Sequence, residues 1–415
     1  MDTQKTIYKN TSDVEKYFAE LYGEVTELQK NRYQKNLNDF NKAFNADGAY
    51  IASSSGRVEV CGNHTDHNGG SVVSCAISLD TLCMFLPTND DVITIKSDVY
   101  SDVVVDINGD EIEEKGTSEA LVRGVVVAMK KRGYKVGGFN AFTTSNVSGG
   151  AGVSSSAAFE VLVSEVLNFL YNDCVIDAEE KSKISQFAEN VYFGKPCGLL
   201  DQTAIAFGGL KKLNFSDKNK IIVSDINNNL SDFTLVLINT GGSHANLTDE
   251  YASIPKEMFE VANAFGKERL IEIDEKDFYD KLPSLKAGLS DRAVNRAIHF
   301  FGENKRVDKL ADALNNNDYD TFLKCIKNSG ISSFVKLQNC YVAGSKDQSI
   351  PTALFIAEEY LNGGANRVHG GGFAGTILNI VKNDNAQYFV SEMQNFYGKK
   401  AVIPLKVRSV GTIVL

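Results

Sequence analysis

Apolar residues recur along this chain with two different periods. Near the start, Val14, Tyr17, Phe18, Leu21 and Tyr22 fall at one-face helical spacing, and Ser12 with Glu15 three residues on predicts a capping box at their head. Helix is expected to continue over 28–44. The period then drops to two. The stretch 49–61 predicts a strand, with Val58 and Val60 on one face and Arg57, Glu59 and Cys61 on the other. Asn68-Gly69 is a turn signal, and 71–86 predicts further buried strand. Another strand is expected over 139–147. Ala157, Ala158, Val161, Leu162, Val166 and Leu170 then outline a helix. A second helix, 178–193, shows Ile184, Phe187, Ala188 and Val191 on one face, and Gly194 and Pro196 close it. A short helix is expected from about Gly198.

The polar, Asn-rich stretch 214–232 separates this half from a strand at 233–239, several helices over 247–361, a strand at 376–381 and a strand-like tail, 402–415. Strands and helices mix in both halves. The expectation is an α/β and α+β protein of two domains, 1–225 and 226–415, with a cleft between them.

Composition narrows the class. The 415 residues are 43% hydrophobic and 23% charged, an ordinary globular balance that excludes disordered and fibrous chains. Lys and Arg number 43 against 53 Asp and Glu, a net charge of −10, and no long basic run argues for nucleic acid. Any site for an anion must therefore be local. The N-terminal ten residues lack a signal peptide's apolar stretch, and the most apolar window, 71–87, is too polar and too short to cross a bilayer. The seven cysteines lack CxxC spacing and read as reduced thiols, so the protein is expected in the cytoplasm, away from membranes.

Four segments carry candidate chemistry. The first is Ser148-Gly149-Gly150-Ala151-Gly152-Val153-Ser154-Ser155-Ser156, between an expected strand and a helix start. Glycines let backbone N–H groups turn inward, the helix end adds partial positive charge, and three serines offer hydroxyls to phosphate oxygens or Mg²⁺. A plain flexible loop is the competing reading. The segment is neither a Walker A loop nor a dinucleotide fingerprint.

The second segment is Gly56-Arg57-Val58-Glu59-Val60-Cys61-Gly62-Asn63-His64-Thr65-Asp66-His67-Asn68-Gly69-Gly70. Asn63, His64, Asp66 and Asn68 suit the hydroxyls of one small polar ligand; a metal on the histidines and Asp66, or a solvated turn, are the alternatives. The third, 189–202, sets Glu189 and Asp201 on either side of a Gly/Pro break, one carboxylate for Mg²⁺ and one for a substrate hydroxyl. Cys197 within it reads as a small buried side chain. The fourth, Arg367-Val368-His369-Gly370-Gly371-Gly372-Phe373-Ala374-Gly375, allows close backbone approach to a ligand or serves as a tight turn.

In this order the four segments resemble the galactokinase branch of the GHMP kinases, from about residue 50 to the C-terminus. The second resembles that branch's signature, Gly-Arg-Val-Asn-Leu-Ile-Gly-Glu-His-Thr-Asp-Tyr-Asn-Gly-Gly. The resemblance implies a two-domain GHMP kinase fold with the active site in the interdomain cleft, and transfer of the ATP γ-phosphate to the C1 hydroxyl of an α-sugar, galactose first. It implies Asp201 as base with Arg57 as its cationic neighbour, and Ser156 and Glu189 holding Mg²⁺. It implies Gly149, Gly150, Gly152, Ser154, Ser155 and Ser156 around the ATP phosphates. It sets Asn63, His64, Asp66, Gly198 and Tyr251 around the sugar, with Asn239, Thr240 and His244 in the same stretch as Tyr251. Such kinases are often monomers; the sequence is silent on oligomeric state.

Departures from the pattern bear on the substrate. Asn63 replaces the family Glu, His67 a Tyr, Val153 a Leu, Ala374 a Gly and His369 a Thr. With Asn63 uncharged and His67 able to carry a proton, galacturonate or another galactose derivative becomes an alternative acceptor. A non-catalytic sugar and ATP sensor is disfavoured by the uninterrupted serine run and by Asp201. A kinase of another small alcohol is disfavoured by the signature-like loop.

Overall fold

The computed structural model describes residues 5–111, 114–147, 152–227, 230–242, 247–373 and 375–415. Its strands in chain order are β1 (Tyr50–Cys61), β2 (Ser71–Pro87), β3 (Val92–Ser97), β4 (Val103–Asp106), β5 (Phe139–Ser145), β6 (Leu210–Asn214), β7 (Ile222–Asp225), β8 (Phe233–Asn239), β9 (Ala365–Val368), β10 (Thr376–Lys382), β11 (Val402–Leu405) and β12 (Ile413–Val414). The helices are α1 (Phe18–Tyr22), α2 (Glu27–Phe44), α3 (Ser118–Lys131), α4 (Ser155–Tyr171), α5 (Ala178–Phe187), α6 (Leu200–Phe207), α7 (Thr248–Ala264), α8 (Glu275–Leu285), α9 (Asp291–Asn315), α10 (Tyr319–Ser332), α11 (Ser349–Tyr360) and α12 (Asn383–Tyr397). No helix among the described residues is long and apolar enough to cross a membrane.

The strands form two sheets. The first runs β12-β1-β2-β5-β3-β4, with β6 paired to β2 and β7 to β6; the second is antiparallel, β11-β8-β10-β9. The change of sheet falls between Asp225 and Phe233, inside the polar stretch the sequence marks. The chain's end departs from a simple division there: β12 returns to the first sheet, pairing Val414 with Ala52 and Ile413 with Ser53. Arg408, fully buried, ties this tail to Ser53 through Nη1 at 2.7 Å. One apolar core also joins the halves, with Val58, Val60 and Val161 packed together with Leu235, Leu237 and Leu378.

Two local expectations differ in detail. Residues Ser12–Tyr17 form a 3₁₀ turn without a side-chain cap, and the first capped helix is α2, whose Thr26 hydroxyl accepts from the Gln29 amide. Alternation along β1 is real but does not divide inside from outside. Its outer face is covered as well, so Arg57 and Glu59 are as hidden as Val58 and Val60. Register shifts between Ser55 and Arg57 and between Glu59 and Cys61 bracket those two polar residues, and such bulges re-aim side chains.

Candidate active site

Five stretches distant in sequence meet around a cavity of about 1190 Å³. Strand β1 and the loop after it bring Arg57, Glu59, Asn63, His64 and Asp66; the head of α4 brings Gly152 and Ser154 to Ser156; the approach to α6 brings Lys195, Cys197, Gly198 and Asp201; α7 brings Tyr251; and the turn between β9 and β10 brings His369 to Gly372. Gly149, Gly150 and His244 lie outside the described residues.

Arg57 and Asp201 form the centre. The guanidinium is bidentate, Nε to Oδ1 at 2.8 Å and Nη2 to Oδ2 at 2.9 Å, and its Nη1 donates to the Gly152 carbonyl at 2.6 Å. The Ser154 hydroxyl donates to Asp201 Oδ2. Burial would raise the Asp201 carboxyl, but the Arg57 charge, the bonds from Arg57 and Ser154, and Lys195 hold it below the usual carboxylate value. Ser154 adopts a left-handed backbone, φ 62°, unusual outside glycine. It stands at the N-cap of α4 yet gives that helix no side-chain cap bond, because its hydroxyl is turned to Asp201. The first amides of α4 are thereby left for an anion.

Behind this centre lies a second carboxylate group. Ser156 Oγ donates to Glu189 Oε1 at 2.8 Å, and Lys195 Nζ meets the same oxygen at 3.0 Å. Gln202 Nε2 bridges Glu189 Oε2 at 2.7 Å and Glu160 Oε2 at 3.3 Å. Burial, then the Glu189 charge, pushes Glu160 well above the usual range. A π-helical turn, Ala188–Phe193, directs Glu189 inward, and Gly194 ends it with φ 83°. Burial and the Glu189 carboxylate also drive the Cys197 thiol far up, so it is not a nucleophile.

The loop after β1 forms the opposite wall. Asn63 is 1% exposed and its amide is fully engaged. Nδ2 donates to Glu59 Oε1 at 2.9 Å and to the Gly370 carbonyl at 2.8 Å; Oδ1 accepts from Asn339 Nδ2 at 2.8 Å and Ser333 Oγ at 3.3 Å. An amide makes four such bonds, so Asn63 has none left for a ligand. His64 Nε2 is 3.0 Å from the Gly371 carbonyl, and Tyr251 Oη donates to the Gly372 carbonyl at 2.9 Å. Asp66 reaches Gly198, where any Cβ would collide with its Oδ2. Burial, reinforced by Glu59 and Asp201, raises the Asp66 carboxyl to about 7. Burial lowers His67 to about 3, so it is neutral near pH 7.

The galactokinase galactose-binding signature matches residues 38–87, and the GHMP kinase N-terminal domain matches 120–209. The galactokinase of Limosilactobacillus reuteri is 30% identical over 385 residues, 88% of this chain and 94% of that one. The chain belongs to the galactokinase family. The galactokinase of Pyrococcus furiosus is 31% identical over 336 residues, 80% of this chain and 89% of its own. Among solved structures, Lactococcus lactis galactokinase complexed with galactose superposes with a TM-score of 0.81 at 23% identity, covering 92% of this chain and all of that one. Methanococcus jannaschii mevalonate kinase gives 0.60 at 14% identity, over 86% of this chain and 98% of that one. These likenesses show the GHMP kinase fold.

Within the galactokinase frame, three groups of residues at the site escaped the sequence reading. Lys195 lies within 189–202, but a lone lysine carries no pattern in sequence. Glu59 was visible only as a position on a strand face; its Oε1 also accepts from Arg367 Nη2 at 2.8 Å. The third group is on α9, far from any motif. His299 Nε2 meets the Asn63 carbonyl at 2.9 Å, Glu303 Oε1 accepts from the Gly62 amide at 3.1 Å, and Asn304 Oδ1 accepts from the Ser71 amide at 2.7 Å. Helix α9 thus clamps the backbone of the signature loop from behind.

Proposed function

We propose that this protein transfers the γ-phosphoryl group of ATP to the C1 hydroxyl of α-D-galactose. The observation that carries the reading is the Arg57–Asp201 clamp, set between the N-terminus of α4 and the signature loop. Galactokinase relatives along most of the chain support the choice of sugar.

Phosphoryl transfer needs positioning and neutralised charge more than covalent chemistry. The amides at the head of α4 and the Ser155 hydroxyl are the groups there left to meet the phosphates, and Lys195 lines the same cavity. Asp201, ionised at neutral pH, accepts the C1 hydroxyl as a hydrogen-bond donor and turns its oxygen toward phosphorus. As the C1 oxygen bonds to the γ-phosphorus, the bond from that phosphorus to the β–γ bridging oxygen breaks and ADP leaves. The hydroxyl proton passes to Asp201. A carboxylate with so low a pKa is a weak base, so the proton moves late, once phosphorus has drawn density from the oxygen. Arg57 then holds the charge balance at Asp201.

The Ser156 hydroxyl and the Glu189 carboxylate, 2.8 Å apart, are hard oxygen donors of the kind Mg²⁺ takes together with phosphate, and Glu189 already draws the Lys195 cation to one oxygen. These two groups would hold Mg²⁺ with ATP, and the ion would supply neutralisation of the phosphate charge. The test is a coupled assay for ADP release over a panel of sugars with product analysis. Galactose 1-phosphate as the main product supports the reading; ATP turnover independent of galactose refutes it.

A further inference from the structure

We propose that Glu59 binds a hydroxyl of the sugar and restricts the acceptor to neutral sugars. The inference rests on the function proposed above and adds a specificity-determining residue and a substrate class to it.

Glu59 lies two residues beyond Arg57 on β1, so strand alternation sends both side chains to the cavity face. It is 4% exposed. A carboxylate so buried needs partners on both oxygens. It has them on one. Oε1 takes Arg367 Nη2 at 2.8 Å and Asn63 Nδ2 at 2.9 Å, whereas among the described residues no hydrogen bond is made to Oε2, and Glu59 lines the cavity. A carboxylate oxygen only accepts, so what completes it is a donor from the ligand, and a sugar hydroxyl is that donor.

Asn63 is the complement. All four bonds of its amide are made to protein, so it orients Glu59 rather than the sugar. The family signature quoted above has Asn and Glu at these two places, and this chain has Glu59 and Asn63. The carboxylate and the amide have exchanged positions, and in this chain they are joined by the bond from Asn63 Nδ2 to Glu59 Oε1. Charge has therefore stayed in the wall, and the case for an acidic sugar that Asn63 alone suggests is removed.

The surrounding charges agree. Glu59, Asp66 and Asp201 all line the acceptor side. Of the cations near them, Arg57 is bound to Asp201 and Arg367 to Glu59. His64 and His67 are both pushed down by burial. Lys195 is drawn to Glu189 at 3.0 Å, and Lys256 lines the cavity from α7. A sugar carboxylate beside Glu59 and Asp201 meets their repulsion, and the arginines next to them are already paired.

The test compares the full-length protein with its Glu59→Gln variant. Glutamine keeps an oxygen for Arg367 and Asn63 and fills the same space. Calorimetry measures binding of galactose, galacturonate and the 2-, 3-, 4- and 6-deoxygalactoses, and the coupled assay gives KM for sugar and for ATP. A hydrogen bond to a charged group corresponds to roughly a 10- to 100-fold change. The expected result is a galactose affinity and KM weakened by about that factor, with KM for ATP changed less than about twofold. One deoxygalactose should bind poorly to the wild type yet bind Glu59→Gln as well as galactose does, and the wild type's preference for galactose over galacturonate should fall about tenfold or more in the variant. Preference of the wild type for galacturonate, no binding of any sugar, equal losses for ATP and sugar, or absence of coupling to any single hydroxyl would each overturn the proposal. If Glu59→Gln does not fold, the exchange Glu59→Asn with Asn63→Glu replaces it. Recovery of near-wild-type galactose affinity supports a carboxylate that reads the sugar, and loss in a folded exchange variant opposes it. Selective binding without phosphorylation would remove the kinase reading and leave Glu59 in its role.

Discussion

Arg57 grips Asp201 through both carboxylate oxygens, at 2.8 and 2.9 Å, while the same carboxylate takes the Ser154 hydroxyl. One side chain thus sets the charge and the orientation of the group that meets the reacting hydroxyl. Asp201→Asn keeps the shape and removes the charge; kcat is expected to fall about 100-fold or more, and Tm to fall as well, because the buried Arg57 guanidinium loses its counter-charge. Arg57→Ala is expected to cut kcat by a similar factor and also to lower Tm, because it takes the bidentate counter-charge from a half-buried carboxylate. Near-normal turnover in folded Asp201→Asn would remove the base role.

Gly198 is tested by a single methyl group. Any Cβ there strikes the Asp66 carboxylate and must displace it from its place at the sugar wall. Gly198→Ala is expected to raise KM for the sugar about tenfold or more while KM for ATP stays close to wild type. Steady-state kinetics with each substrate varied in turn checks this, and equal effects on both substrates would oppose it.

Glu303 should matter for stability although it touches no ligand. Burial would raise it, but His299, Arg306, Arg367 and the Ser329 hydroxyl outweigh burial and bring it to about 2. Its folded pKa lies below its unfolded one, so its contribution is complete above pH 4.5 and is lost as pH falls toward 2. Glu303→Ala breaks a buried charged network and is expected to cost about 3–5 kcal/mol at pH 7. Chemical denaturation of both proteins from pH 7 to pH 3 should show the difference shrinking as the pH drops.

Asp66 has the opposite sign. Its carboxyl titrates at about 7 in the folded protein against 3.8 for the unreacted group, so the unfolded chain sheds its proton first. Stability from this group therefore declines as pH rises from about 4 to about 7 and is level above. Asp66→Asn should gain in Tm relative to wild type across that window, with weakened sugar binding throughout. Removing the Glu59 charge should move the titration to lower pH, because Glu59 is one of the charges that raise it. A constant Tm difference from pH 4 to pH 7 would contradict this account.

Much of the fold was legible in periodicity. The strand at 233–239, the helix from Ala157 to Leu170 and the stop at Gly194 rest on local rules, and the structure places β8, the body of α4 and the left-handed Gly194 there. The capping box at Ser12 was not formed, since the helix around Val14 is a short 3₁₀ turn whose side chains pack into the core instead. The return of β12 to the first sheet was not legible, because two paired residues leave no periodic mark.

The sequence by itself determined which chemical groups were available: a serine-bearing helix start, Arg57, Asp201, the signature-like loop and the glycine turn. Each is a local pattern, set by backbone preferences and neighbouring side chains. Only the tertiary structure decided how those groups are used. Whether Asn63 or Glu59 is left with an unmade bond depends on Asn339, Ser333, Gly370 and Arg367, residues roughly three hundred positions away along the chain. Hydrogen-bond capacity is counted in space, so the same Asn that looks like a ligand contact in sequence becomes a strut once its neighbours have arrived.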